Sequence, residues 1–447
     1  MLFIISGCSK VSLQRELRYV ESNLRDRFPA MQQVKLQEST KKTNAKGQEM
    51  IDTLLVNGVM REQAIAAHLM MDEEIQARIA GLGMVKADFY QAGLADNPNI
   101  DFSSAFAKKS DNFVRRSSIS LDFSLFISDL WKTRLRKRVA QDILGFACED
   151  FAEFLLEEIA RITLLYDECL HLQSLLAHAA YVQQLINDCD NLIVDTVDRC
   201  KHICSSADSA GKIMNWQVRL QECRAWLARE IGISGKEANL RLVDQLFVPE
   251  GAIPSLSTLQ ELALKQRPVL LAAQMKIQEA QHRIRYERSR CIKDIQVGVS
   301  CAYRSPSSNK TGCSKANRES YIGPLLNFDL PIFDSNSAQI ARAKYQEHEA
   351  YSKYAGFKNK ILQEVHTLYT QYQFRRQRMN MLKNDVIPAL MDVIEKTAHY
   401  DALQLLKTRL QIARLQEEYF QELFLARKAH VELERAVGSS ISHVHTS

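Results

Sequence analysis

The chain has 447 residues, 46 % of them hydrophobic and 25 % charged, with a formal net charge of +5. This composition is ordinary for a folded protein and excludes a disordered one, and so small a charge argues for no nucleic-acid partner. Sixteen Gly and nine Pro are few for the length, which favours long uninterrupted helices. No run of eighteen apolar residues offers a transmembrane helix.

The chain opens MLFIISGCSK, and Ile5-Ser6-Gly7-Cys8 resembles the lipobox of bacterial lipoproteins, in which the cysteine becomes the lipidated first residue. Only seven residues precede Cys8, too few for a basic region and an apolar core. The expectation is that 1–8 are the remnant of a signal peptide whose start lies upstream. A chance ISGC is the alternative. Residues 9–58 are polar and charge-mixed, with one weak helical stretch from Leu13 to Leu24, and read as an N-terminal arm.

The region 59–247 reads as a first repeat. Ala64, Leu69, Ile75, Ile79, Leu82 and Val85 recur at helical spacing between Met60 and Ala95, and Asn97-Pro98 stops them. A hairpin is expected at about 98–127, where Ile119, Leu121, Phe123, Leu125 and Ile127 alternate with Ser118, Ser120, Asp122 and Ser124. A long helix follows, with its stripe on Phe151, Leu155, Ile159, Ile162 and Tyr166, and runs to about Leu192. A second returns from about Ile213 to Ile231, ended by Gly232. The segment 248–258, with Pro249, Gly251 and Pro254, is the linker.

The region 259–437 repeats the plan: a helix over Leu259–Cys291, a hairpin at about 293–333, and long helices. In the hairpin's second strand Leu326, Phe328, Leu330 and Ile332 alternate with Asn327 and Asp329, and Asp334-Ser335-Asn336-Ser337 supplies a helix start. Ala350, Tyr354, Phe357, Ile361, Val365, Leu368 and Tyr372 form a near-heptad seam that pauses near Asn384–Pro388. Gly438 ends the last helix, 438–447 form the C-terminal tail, and its ISHVHTS (441–447) reads as disordered. The repeats align at an offset of 195 from Ala64 to Ile100, and of 205 from Phe123 to Ile127.

Each half therefore supplies two strands with one apolar and one Ser/Asp/Asn face, as in a barrel with a greasy outside and a wet lumen. Four strands cannot close such a barrel, so several chains must contribute. The carrying stretches are REQAIAAHLMMDEEIQARIAGL (61–82), RPVLLAAQMKIQEAQHRIR (267–285) and LPIFDSNSAQIARAKYQ (330–346). On these the chain resembles the TolC family of outer-membrane efflux proteins over essentially its whole length. The resemblance implies a mainly α fold with a membrane β-barrel and two structural repeats per chain. It further implies a homotrimer whose twelve-stranded β-barrel continues into a twelve-helix α-barrel, with 9–58 in an equatorial region. The implied protein is a lipid-anchored outer-membrane duct, most of it periplasmic, in a Gram-negative bacterium. Its implied partners are a periplasmic adaptor and an inner-membrane pump or ABC transporter, for efflux or type I secretion. The alternative is a soluble coiled-coil scaffold.

No Gly-rich phosphate loop, GxSxG, HExxH or paired CxxC occurs, so neither an enzyme nor a cofactor or metal site is expected. The resemblance points to a periplasmic constriction with Asp401, Asp188, Asp190 and Asp195 as candidates. Solvated helix-end carboxylates are the rival account. The family's tip glycine is missing from His399-Tyr400-Asp401-Ala402-Leu403. Trp131, Arg134, Arg136 and Phe333 are candidates for a girdle against outer-membrane lipid. Cys200-Lys201-His202-Ile203-Cys204 reads mainly as ordinary helix thiols, and Cys301 with Cys313 is a candidate loop disulfide.

Overall fold

A computed structural model describes residues 11–28, 31–32, 34–37, 56–106, 117–190, 196–233, 240–251, 253–292, 294–304, 319–329, 331–396 and 402–441. The first repeat holds α2 (Arg61–Met71), α3 (Glu73–Ala92), β1 (Asn99–Phe106), β2 (Ser117–Phe126), α4 (Asp129–Asp190) and α5 (Thr196–Glu230), after α1 (Gln14–Arg25) in the N-terminal arm. The second holds α6 (Leu256–Gln266), α7 (Pro268–Ser289), β3 (Ile295–Arg304), β4 (Glu319–Phe328), α8 (Ser337–Asn380), a π-helical turn (Met381–Val386), α9 (Ile387–Lys396) and α10 (Ala402–Val437). At 62 residues α4 is about 93 Å long.

In both halves a strand leads into a long helix, with informative differences at the joints. Each first helix is broken once, at Asp72 and at Arg267, two positions 195 residues apart, and both adopt extended backbone (ψ 131° and 117°). Asp72 leaves the helix and caps α3, its Oδ1 accepting from the Ile75 amide at 2.9 Å. Arg267 is held extended by Pro268, whose ring disfavours helical backbone in the preceding residue while suiting the first position of α7. Periodicity runs through both breaks because neither changes the buried face.

The long return helix α5 begins at Thr196, well before the expected Ile213; Gly211 is carried inside it with open space around it. β4 ends at Phe328, short of the expected Ile332. The chain then turns through Asn336 (φ 58°), whose amide bonds the Asp334 carboxylate at 3.0 Å and whose side-chain amide donates to the Glu287 carbonyl at 2.8 Å. That local hydrogen bonding replaces the ladder Pro331 cannot extend. Leu330 lies outside the described residues. The expected pause near Asn384–Pro388 is the π turn: widening the helix relieves the clash of the Pro388 ring with the carbonyl four residues back.

The described residues form two compact units. One is built from Met84–Phe146 and Ala273–Lys353, and the other from Ser12–Gly83, Ala147–Ala272 and Tyr354–Ser447. The first contains the sheet, ordered β1-β2-β3-β4 with every neighbouring pair antiparallel. The second contains the main core. Phe151, Leu155, Ile159, Ile162 and Tyr166 of α4 are buried as expected, and Leu259, Leu270, Ile361, Val365, Tyr372, Leu433 and Val437 form one cluster in the second repeat. The N-terminal arm is tied into this core by Leu17, Val20, Leu24 and Met31. Ile441, within the segment expected to be a disordered tail, is buried, and its amide bonds Glu434 at 3.0 Å.

Asp167, on α4, is wholly buried and accepts two bonds from Arg61 (2.9 and 2.6 Å) and one from Arg427 (2.9 Å), fastening α2 and α10 to the long helix. Cys169 and Cys223 join α4 to α5 as a disulfide with Cα atoms 5.9 Å apart.

Candidate functional site

The sheet sorts its side chains into two chemically different faces, because side chains alternate along each strand and the register aligns them across it. One face carries the rows Ile100–Phe123–Val299–Pro324, Phe102–Leu121–Cys301–Ile322 and Leu125–Val297–Leu326. Its large side chains are exposed, with Phe102 at 67 % and Ile322 at 80 %. The other face carries Ser103–Ser120–Ala302–Tyr321 and Asp101–Asp122–Ser300–Gly323. Ser103 and Ser120 share a 2.7 Å hydrogen bond, Ser300 donates to Asp122, and Asn99 donates to Asp101 at 2.8 Å. Asp101 and Asp122 are direct cross-strand partners, an opposition of like charges that is tolerated only where water reaches both.

Three strands are ten residues long and β1 eight, the reach needed to cross a hydrocarbon core obliquely. The inner edges of the two hairpins are bound to each other, β2 on β3, whereas among the described residues β1 and β4 each keep one edge without a strand beside it. Gly298 permits the central pairing, since a Cβ there would run into the Phe123 carbonyl. Lys132 locks the strand bases together, its Nζ 2.7 Å from Asp294, which also accepts from Ser128 at 3.2 Å. No described helix is long and apolar enough to cross a membrane.

Residues 259–390 match the family model for outer membrane efflux proteins. Within the matched stretch lie α6, α7, β3, β4, α8, the π turn and the start of α9. The fold of nearly the whole chain is that of solved outer-membrane channels. VceC from Vibrio cholerae is 15 % identical, with 85 % of this chain and 96 % of that one covered at a TM-score of 0.63. The MtrE channel of Neisseria gonorrhoeae is 13 % identical, with 88 % and 89 % covered at 0.60. A membrane protein from Pseudomonas aeruginosa is 14 % identical, with 85 % and 92 % covered at 0.65. No curated protein matches the chain.

The candidate residues read from the sequence are distributed along the fold as follows. Trp131 and Arg134 are exposed in the first turns of α4, directly after β2, and Phe333 is fully exposed after β4. Arg136 is engaged otherwise: its guanidinium donates to the carbonyls of Ala92 (3.1 Å) and Leu94 (2.6 Å) at the end of α3, where a cation also meets the helix dipole. Asp188 is exposed in the last turn of α4, and Asp190 is that helix's final residue. The side chain of Asp190, and the whole of Asp195, Asp401, Cys8 and Cys313, lie outside the described residues. Cys301 is a free thiol on the apolar sheet face, and Cys204 is free and exposed on α5.

Sequence reading missed the Asp101–Asp122 opposition, because alternation assigns each to the wet face but says nothing of register. It also missed the Cys169–Cys223 bridge, whose partners are 54 residues apart on two separate helices.

Proposed function

We propose that three copies of this chain close a twelve-stranded barrel in the outer membrane, continued by a twelve-helix tunnel into the periplasm. The assembly serves as the passive exit duct of an efflux or secretion machine. The single observation that carries this reading is the four-stranded sheet with one greasy face, one wet face and, among the described residues, two unpaired edges. In lipid such edges have no water to satisfy them, and pairing β1 of one copy with β4 of the next removes all of them. The helices support it independently. The α8 seam is buried from Ile361 onward, while Tyr345 and Tyr351 nearer its start are exposed at 78 % and 48 %, a face for neighbouring copies to cover.

In the closed barrel the Asp101–Asp122 row places two carboxylates per copy on the lumen wall, a ring that favours cations. Trp131, Arg134 and Phe333 sit where a girdle would meet headgroups, with Arg136 bracing α3 behind them. Lipidation at Cys8 anchors the chain, and carboxylates among Asp188, Asp190, Asp195 and Asp401 line the far constriction, where a periplasmic adaptor and inner-membrane transporter engage. The Cys169–Cys223 disulfide suits an oxidising compartment.

The test is the mass of the protein extracted from outer-membrane fractions in detergent. A trimer is expected. A soluble monomer or dimer would remove the barrel and leave a long-helix scaffold.

A further inference from the structure

The two helix breaks carry different chemistry, and the difference locates a binding site. At the second break Arg267 is 5 % exposed. Its Nη2 lies 2.7 Å from Glu153, its Nη1 3.4 Å from Glu364, and Nη1 also donates to the carbonyl of Ala436 at the end of α10 (3.0 Å). Arg435 completes the cluster on Glu364 at 2.6 Å. Two carboxylates thus meet two guanidiniums, and the charge closes. At the first break the carbonyl that ends α5, Glu230 O, receives His68 Nδ1 at 3.0 Å instead. Asp72 stands at the position equivalent to Arg267. Glu158, Glu230 and Asp72 surround the ring, and Arg161, the guanidinium among them, reaches Glu158 (2.5 Å) and Glu230 (2.6 Å) from the more exposed side. Three carboxylates thus outnumber one guanidinium beside a helix C-terminus, which itself favours a cation.

We propose that His68 Nδ1, Asp72 Oδ2 and Glu230 Oε2, with the Glu230 carbonyl, form a site for one borderline-soft divalent cation such as Zn²⁺. Nδ1 lies 3.9 Å from the Asp72 oxygen and 3.5 Å from the Glu230 carboxylate, and the three side-chain donor atoms lie within 4.8 Å of one another. A tetrahedral zinc with ligands at 2.0–2.2 Å has donors about 3.4 Å apart, so a small closure of two carboxylates completes the shell. The outer shell is in place. His68 Nε2 donates to Glu158 at 2.8 Å, the carboxylate–histidine arrangement that fixes a ligating imidazole's tautomer, and Arg161 holds Glu158 in turn. Asp72 spends only Oδ1 on its cap, which leaves Oδ2 to ligate. His68 is wholly buried, so the ion sits at the inner end of the cluster and ties α2, α4 and α5 together as Arg267 ties their counterparts. Binding takes the Nδ1 lone pair, and the proton directed at the Glu230 carbonyl leaves to solvent. Affinity therefore falls as pH falls. The site stands whether or not the chain is a duct.

The test uses the full chain in detergent, stripped with chelator and titrated with Co²⁺ and then Zn²⁺. Expected are one equivalent of Co²⁺ per chain with a visible d–d band, displacement by Zn²⁺, proton release, and a higher unfolding temperature with metal. Glu158→Gln should weaken binding about 10–100-fold and Asp72→Asn, which keeps the helix cap, at least as much. His68→Asn should abolish it. Absence of saturable Co²⁺ binding to the wild-type chain overturns the proposal even if a variant misfolds. So does binding that survives Asp72→Asn but vanishes when the thiols are alkylated, because the metal then sits on cysteines.

Discussion

The two repeats solve the same mechanical problem with different parts. Both bend their first helix at one residue, and both close the end of their last helix onto that bend through a donor to a terminal carbonyl, Glu230 in one and Ala436 in the other. The second repeat uses a guanidinium, permanently charged and able to hold two carboxylates and a carbonyl at once. The first uses an imidazole amid surplus carboxylate. The long helices differ too. Cys169 and Cys223 cross-link α4 to α5, whereas the positions 205 residues later are Phe374 and Lys428, which line an open groove between α8 and α10. One half is held by fixed charge, the other by a covalent bond and a titratable ring.

The largest break in this comparison comes from Arg267→Met. It leaves the half-buried Glu153 without its guanidinium, Glu364 with Arg435 alone and the Ala436 carbonyl unpaired, so the loss should be about 3 kcal/mol in chemical unfolding. Arg267→Lys keeps the charge without the fork and should recover only part. If both variants unfold like wild type, the second bend is not held by its charges. Next comes Cys169→Ala with Cys223→Ala. Opening a loop of that length should cost about 4 kcal/mol by chain entropy, with measured values for disulfides commonly nearer 2–4. The same double variant should leave the Arg267 effect unchanged, since separate sites add.

How much of this the sequence disclosed follows from what periodicity can carry. The two-residue period of Ile119–Ile127 and the helical stripe of Phe151–Tyr166 are repeated signals, so strands, long helices and duplication were all legible. The breaks at Asp72 and Arg267 were not, because each is a single residue inside an apolar pattern that continues on both sides. Pro268 was a visible marker of one. Its counterpart rests on an Asp turning its side chain onto the Ile75 amide, which any Asp in a helix could do or not. The metal-ligand set was illegible for a different reason: His68 and Asp72 lie one turn apart, but Glu230 arrives from 158 residues later, so no compact spacing announces it. The Asp101–Asp122 row needed register, which here is a product of pairing two hairpins rather than of either alone.

A smaller effect separates the halves by pH. Burial pushes the Glu158 carboxyl up, but hydrogen bonds from His68 and Arg161 and their charges outweigh it and bring it down to about 2. Its contribution is complete above the ordinary carboxylate value of 4.5 and is lost as pH falls through 2, because the unfolded chain takes up that proton first. Glu158→Gln should therefore flatten the acid limb of stability between pH 4.5 and 2. An acid limb as steep in the variant as in wild type would assign the slope to other carboxylates.

The smallest expected effect is the most discriminating. Asp72→Asn retains a cap of nearly equal quality, so in the presence of chelator its cost should be under about 1 kcal/mol. Removing one of three carboxylates also relieves repulsion at the first bend, which moves the change toward zero. With Zn²⁺ present the same variant should fall behind wild type by the whole metal-linked increment, because only the wild-type chain gains stability from the ion. A thermal-unfolding comparison of the two proteins with and without Zn²⁺ reads this directly. Equal midpoints in chelator with divergence in Zn²⁺ means that the first bend is completed by a cation as the second is by Arg267. Equal midpoints in both conditions means that the imidazole and Arg161 already suffice, and that the two repeats differ in strength rather than in kind.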